Sequence, residues 1–320
     1  MHQKPKQKSE FALRIKSLRA LAYRLDLPED LIVLESHRAG RDYSPFISRN
    51  EPAPFAKLPT VFKERPIDNP VEAIKFIQAR IYQRLLQPLP WPEHIFGGVK
   101  GKSLLHNIRL HLAAPVIVTV DIKSFFPSIS THQIYAVWAN LLDCSPEIAG
   151  ILTRLTTYDF HLPQGAATSS ALSNLVLYSL DHPIREYCKK ACIQYSTWID
   201  DLAFSGEAAR HAINVVVEAL RRGGFALPHR KMKIMPAHRR QMLSGLLLNR
   251  QPGLLRRYES TVRSGIHKLE TGLVPRFQHH AYIRRLQGRI TYIRMINPRR
   301  AGPLELRLMS VLDSSGFDYA

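Results

Sequence analysis

Two adjacent carboxylates, Asp200 and Asp201, stand in the middle of Tyr195–Gly206, between two stretches of alternating apolar and aromatic residues. Strand-like runs on both sides make the pair the turn of a hairpin. Negative charge held in such a place needs a positive partner, because burying it bare is costly. A divalent cation is the partner this chemistry suggests. A third carboxylate, Asp121, ends the β-branched run Val116-Ile117-Val118-Thr119-Val120, which reads as a buried strand delivering the acid at its C-terminal end. If strand and hairpin share one sheet, the three acids converge and can hold two Mg²⁺ ions about 4 Å apart, the arrangement for in-line attack on a phosphoryl group. An Asp-Asp dipeptide alone is more often a turn or a cap, so the argument rests on the set.

The elements around these acids follow from periodicity. Ser9 to Leu25 carries apolar residues at helical spacing with a basic outer face, and Asp26–Asp30 starts a short second helix through Leu34. A Pro-rich passage from Tyr43 to Pro70 reads as a β-hairpin or an extended loop. Val71–Leu86 is an amphipathic helix ended by Pro88, Pro90 and Pro92. Helices are predicted over Thr131–Leu142, Thr168–Lys190 and Glu207–Arg222, the last stopped by Gly223-Gly224, and a strand over Met242–Leu248. This order describes an α+β fold, an antiparallel sheet with helices on one face. From Leu254 onward the chain turns helical and basic. Arg256, Arg257, Arg263, Arg284, Arg285 and Arg289 are mixed with aromatics including Tyr292, a composition suited to a phosphate backbone or to a solvated face over a core.

The 320 residues carry 45 Lys+Arg against 26 Asp+Glu, a formal charge of +19, which points to a polyanionic partner, nucleic acid before acidic lipid. No apolar run is long enough to span a bilayer, and the N-terminus lacks a signal peptide's apolar core, so a cytoplasmic protein with no membrane partner is expected. Cys144, Cys188 and Cys192 form no metal or disulfide framework, and Cys188 and Cys192, one helical turn apart, read as small packed residues. The histidine pairs, among them His106 and His111, lack the spacing of a metal site.

Three segments in order resemble the palm motifs of reverse transcriptases, more narrowly the bacterial retron-type enzymes. They are Val118-Thr119-Val120-Asp121 with Phe125-Phe126 after it, Leu162-Pro163-Gln164-Gly165, and Trp198-Ile199-Asp200-Asp201. The resemblance spans about Lys63 to Pro298. It implies a right-hand polymerase: an N-terminal helical extension (1–60), fingers (61–115), a palm (116–250, with a fingers insertion near 145–165) and a basic helical thumb (251–320).

Carried over residue by residue, the resemblance makes Asp121 and Asp200 direct metal ligands, with the Ile122 carbonyl as a further ligand and Asp201 completing the cluster. Lys231 would protonate departing pyrophosphate. Lys63 and Arg65 would grip the triphosphate, where the planar fork of arginine suits phosphate. Phe126 would bar a 2′-OH, and Gln164 and Gly165 would line the nucleotide pocket. Asn107, His111 and Gly245, the last at a primer-grip turn, would meet nucleic acid, as would the thumb arginines. Trp198 stands where the family commonly has Tyr, Pro228 and Met232 where Asn and Thr are usual, Ile108 in place of Ala, and Leu243-Ser244-Gly245 where Val-Thr-Gly is typical. The expected partners are a structured non-coding RNA, its DNA product, deoxynucleotides, a separate effector protein in phage defence, and a host ribonuclease H. The competing readings are a defence-associated reverse transcriptase outside the retrons and a catalytically silent RNA-binding scaffold.

Overall fold

The structure is a computed structural model that describes residues 10–49, 64–228 and 232–314. Two helices, α1 (Leu18–Leu25) and α2 (Glu29–Arg38), precede β1 (Phe46–Arg49), which pairs with β2 (Glu64–Ile67) in a two-stranded ribbon. Helix α3 (Glu72–Ile81) runs into a π-helical turn over Tyr82–Leu86, and α4 (Leu104–Arg109) leads to β3 (Val116–Asp121). Then come α5 (Phe125–Ser128), α6 (Thr131–Ala136) with a second π-helical turn (Val137–Leu141), α7 (Pro146–Thr156), α8 (Ser169–Leu180) and α9 (His182–Lys190). A hairpin of β4 (Gln194–Trp198) and β5 (Asp201–Ser205) is followed by α10 (Ala212–Arg222), β6 (Met232–Pro236) and the small ribbon of β7 (Met242–Leu243) and β8 (Leu246–Leu247). Helices α11 (Arg256–Glu270), α12 (His279–Ile296) and α13 (Pro298–Ser314) complete the described residues.

Contacts divide the chain into two compact units. The first draws on Met1–Ser48, Arg65–Asn107 and Ala114–Ile234, the second on Arg49–Glu64, Ile108–Ala113 and Met235–Ala320. The main sheet has the order β4-β5-β3-β6, with β5 antiparallel to both β4 and β3. Its central strands are continuous apolar runs because both faces are covered. Ile117, Val118 and Val120 of β3 and Leu202, Ala203 and Phe204 of β5 are fully buried. Each larger side chain contributes about 1.5–3 kcal/mol by leaving water. Local signals set the helix starts: Ser130 and Gln133 form a capping box on α6, and Ser145 caps α7 with Pro146 in its first turn. The second unit has its own core, where Val262 and Ile266 of α11, Leu286 and Ile290 of α12 and Leu304 and Leu308 of α13 meet.

Several expectations are corrected. The first helix begins at Leu18, not Ser9, because Ser17 caps it and Arg14 adopts a left-handed φ of 56°. Phe11 and Ile15 are buried from an irregular segment whose Leu13 and Arg14 amides bond the Leu142 carbonyl. The second helix continues past Leu34 to Arg38. The long helix expected over Thr168–Lys190 is two helices broken at Asp181, where Pro183 opens the second. The expected strand over Met242–Leu248 is a tight hairpin turning at Ser244 and Gly245, both with positive φ. Cys188 is buried, whereas Cys192 lies beyond the end of α9 and is exposed.

Candidate active site

The sheet register assembles the acids. Asp121 at the end of β3 and Asp201 at the start of β5 are direct cross-strand partners, and Trp198 at the end of β4 pairs with Asp201 from the other side. Directly opposed residues share a face of the sheet, so Trp198, Asp201 and Asp121 form one transverse row. The residue that departs from the family's tyrosine therefore flanks the acids. Asp200 lies in the two-residue turn that joins β4 to β5, and its carbonyl accepts a 3.2 Å bond from the Ile122 amide. This bond ties the turn to the residue that follows Asp121.

The other turn residue, Ile199, has φ 57°. A β-branched side chain in that region costs about 1–3 kcal/mol and persists only when its surroundings over-determine it. Those surroundings are the 92–99 loop. The Thr197 amide donates to the His94 carbonyl at 2.8 Å and the Phe96 amide to the Thr197 carbonyl at 3.0 Å, so the loop adds to the edge of β4. Gly97 then presses on the turn: a Cβ there would lie 2.5 Å from the Ile199 nitrogen. Asn174 of α8 donates to the Gly97 carbonyl at 2.8 Å. Lys102 gathers the loop by donating to the carbonyls of Pro92, Glu93 and Ile95, and its ammonium stands 5.1 Å from the Phe96 ring centroid. Burial pulls the Lys102 pKa down. On the far part of β4, Tyr195 stacks between His94 and Phe204, and Asp181 receives bonds from His94, Arg185 and the Tyr195 hydroxyl.

Gln164 and Gly165 are held by a second arrangement. The Asp68 amide donates to the Gln164 carbonyl and the Gln164 amide to Asp68 Oδ2, both at 2.9 Å. His161 Nε2 lies 3.2 Å from the same carboxylate oxygen, and its Nδ1 lies 2.9 Å from the Asp159 carbonyl. Each ring nitrogen thus faces an oxygen of a different segment. Gly165 has φ 134°, and a Cβ there would come within 3.0 Å of Ile67 Cγ2 and 3.2 Å of the Asp68 carbonyl. Glycine is required for that approach. Asp68 follows β2, so this clasp joins the loop of Gln164 to the strand bearing Arg65, whose side chain is exposed. The Leu162 amide bonds the Ile129 carbonyl at 2.9 Å, linking the same loop to the segment after Phe126. Phe125 is buried against Phe225, and Phe126 is half-buried, packed against the edge of the same core.

A profile of the family described as reverse transcriptase (RNA-dependent DNA polymerase) matches residues 59–246. The chain belongs to that family. Bacterial retron enzymes are among its relatives. The Retron Ec86 reverse transcriptase of Escherichia coli is 26% identical over 219 residues, 67% of this chain and 68% of that one. The Retron Mx65 reverse transcriptase of Myxococcus xanthus is 27% identical over 263 residues, 76% of this chain and 61% of that one. The Retron Se72 reverse transcriptase of Salmonella heidelberg (strain 579083-10) is 29% identical over 145 residues, 45% of this chain but 38% of its own. The chain thus spans from 38% to 68% of these three relatives.

Reverse transcriptases use divalent metal ions, and the donor set fits a hard cation: carboxylates on adjacent strand ends with a backbone carbonyl nearby, all oxygen. Among the described residues no three His, Cys, Asp or Glu side chains close into a metal cage; the backbone register brings these acids together.

Other expected site residues fall elsewhere. Two of the expected nucleic-acid contacts are buried. Asn107 is 1% exposed and its Oδ1 accepts from the Ser196 hydroxyl, so it braces β4 from within. His111 is fully buried, and desolvation pushes its pKa down to about 4, which keeps it neutral at pH 7. Gly245 is exposed at the β7–β8 turn of the second unit, as are Arg256, Arg257 and Arg263 on α11 and Arg284 and Arg285 on α12. Arg289 lies over the Tyr258 ring at 5.3 Å, and Tyr258 packs against Tyr292, so these two join the packing of α11 on α12. Lys63 and Lys231 lie outside the described residues. Asp68, His161, Gly97 and Lys102 escaped sequence reasoning. Gly97-Gly98 was the sole visible signal, a glycine pair beyond the proline cluster.

Proposed function

We propose that the chain is an RNA-directed DNA polymerase that binds a structured non-coding RNA, primes from a 2′-OH within it, and copies part of it into DNA. The observation that carries the polymerase reading is the pairing of Asp121 with Asp201 beside the strained turn of Asp200. Asp121, Asp200, Asp201 and the Ile122 carbonyl hold two Mg²⁺ ions, which supply charge stabilisation at the attacking and leaving oxygens. Arg65, with Lys63, grips the triphosphate bidentately, and Lys231 gives a proton to the departing pyrophosphate. Gln164 and Gly165, fixed by Asp68, seat the deoxynucleotide, and the Phe126 ring excludes a 2′-OH. Residues 61–115 act as fingers, 116–250 as palm and 251–320 as a basic thumb on the nucleic-acid backbone. No helix among the described residues is long and apolar enough to cross a membrane, and we assign the enzyme to the cytoplasm. There a separate effector and a host ribonuclease H complete a role in phage defence.

Primer extension on an RNA template tests the gate. Phe126→Ala should narrow the preference for deoxynucleotides over ribonucleotides by about tenfold to a hundredfold, the scale on which one hydroxyl is discriminated sterically. Unchanged sugar selectivity would remove Phe126 from the site. The priming reaction is tested by the nucleic acid that copurifies with the chain. It should be an RNA–DNA hybrid that debranching enzyme shortens, and linear DNA alone in freshly isolated complexes argues for another priming mode.

A further inference from the structure

Phe160 is 85% exposed and stands at the tip of a hairpin next to the Gln164 loop. Tyr158 and His161 exchange both backbone hydrogen bonds at 2.9 Å, leaving Asp159 and Phe160 as a two-residue turn with φ values of 44° and 63°. Two successive left-handed residues are the geometry for which sequences ordinarily supply Asn-Gly or Asp-Gly. Aspartate tolerates it; phenylalanine does not, and its Cβ crowds the backbone. Nothing in the turn requires a side chain at this position. The bonds that fix it run from backbone to backbone, including the Thr131 amide to the Phe160 carbonyl at 3.0 Å, or from His161 to the Asp159 carbonyl and to Asp68. The ring therefore leaves most of its surface in water, and its backbone is strained. Such a residue stabilises little in the fold, and strain of this kind gathers where a ligand is met.

We propose that Phe160 is a stacking platform for an unpaired base of the RNA template strand, held beside the nucleotide pocket by the His161–Asp68 clasp. This rests on the reading of Gln164 and Gly165 as that pocket. An aromatic face accepts any base, so the contact is indifferent to sequence. It acts on the single strand, since a paired base has its faces covered by its neighbours.

Phe160→Gly separates the two roles because it should move them in opposite directions. The variant creates an Asp-Gly turn and keeps every backbone bond, so its melting temperature should rise by about 2–4 °C. Binding is measured by fluorescence on the full chain. The probe is an RNA template annealed to a DNA primer, with 2-aminopurine at the first unpaired template position. The same duplex without an overhang and one with a DNA overhang are measured beside it. Phe160→Gly should weaken binding of the RNA overhang about tenfold and lose the quenching of 2-aminopurine, with the blunt duplex bound as before. Phe160→Trp should retain both. A fall in melting temperature, wild-type affinity for the RNA overhang, or a loss confined to the DNA overhang overturns the assignment. If the wild-type chain neither binds nor extends the primed template, the polymerase reading itself has failed, which is a different result from a wild type that extends it beside an unaffected Phe160→Gly.

Discussion

Asparagine at Asp200 should lower metal-dependent nucleotide incorporation at least about thousandfold. A carboxylate that holds a catalytic cation supports several kcal/mol of charge stabilisation, and each 1.4 kcal/mol is a factor of ten in rate. The substitution removes the charge and keeps the size of the side chain. The turn is held by the backbone of Asp200, whose carbonyl bonds the Ile122 amide, and by the loop against Ile199, so the hairpin should persist. Affinity for primed RNA template should therefore remain near that of the unaltered chain. Asp121→Asn should behave in the same way, because its residue faces Asp201 across the strands. Incorporation within tenfold of wild type in the Asp200 variant would show that the acids are not the metal ligands.

Alanine at Gly97 should be nearly as damaging, although it touches no proposed ligand. Its Cβ would lie 2.5 Å from the Ile199 nitrogen, 2.7 Å from Cγ1 and 2.9 Å from Cδ1. Rotation of the isoleucine side chain relieves the last two contacts but not the first, since that atom belongs to the backbone. The loop is pinned by the bonds at Thr197 and by Asn174, so the turn must move. Overpacking of this kind costs about 1–3 kcal/mol in stability. The larger effect is on rate, because displacement of a reacting group by about 1 Å can cost a hundredfold. We expect kcat to fall about a hundredfold with the deoxynucleotide KM little changed. Gly40→Ala, with nothing within 4 Å of the new carbon, is the control and should alter neither quantity. A Gly97→Ala enzyme with a normal kcat would mean that the loop does not position the turn.

Much of the acidic site was legible because its signals are local. A β-branched run ending in Asp121 and an acid pair between two apolar runs specify strands by composition alone, and the observed register then follows from sharing one sheet. The supporting residues were illegible for the opposite reason. Asp68 and His161 are single polar residues far apart in the chain, and nothing near either reveals that they meet. The approach of Gly97 to Ile199 is likewise a contact between loops, invisible to periodicity. The nucleic-acid role of His111 comes from the resemblance alone, and nothing local in the sequence signals that the fold buries it completely. The N-terminal helix was drawn too long because Phe11 and Ile15 satisfy helical spacing and are equally well buried by an irregular path.

The exchange of bonds between Asp68 and Gln164 also bears on how the protein opens. The strand of Arg65 and the loop of Gln164 come from distant parts of the sequence, yet the Asp68 amide, bonded to the Gln164 carbonyl, is released only when the two segments separate. They therefore belong to one cooperative unit of local unfolding, with a common opening free energy. Fluctuations of the two segments are correlated on that account. Thermal motion dismantles the proposed grip on the phosphates and the proposed seat for the nucleotide together.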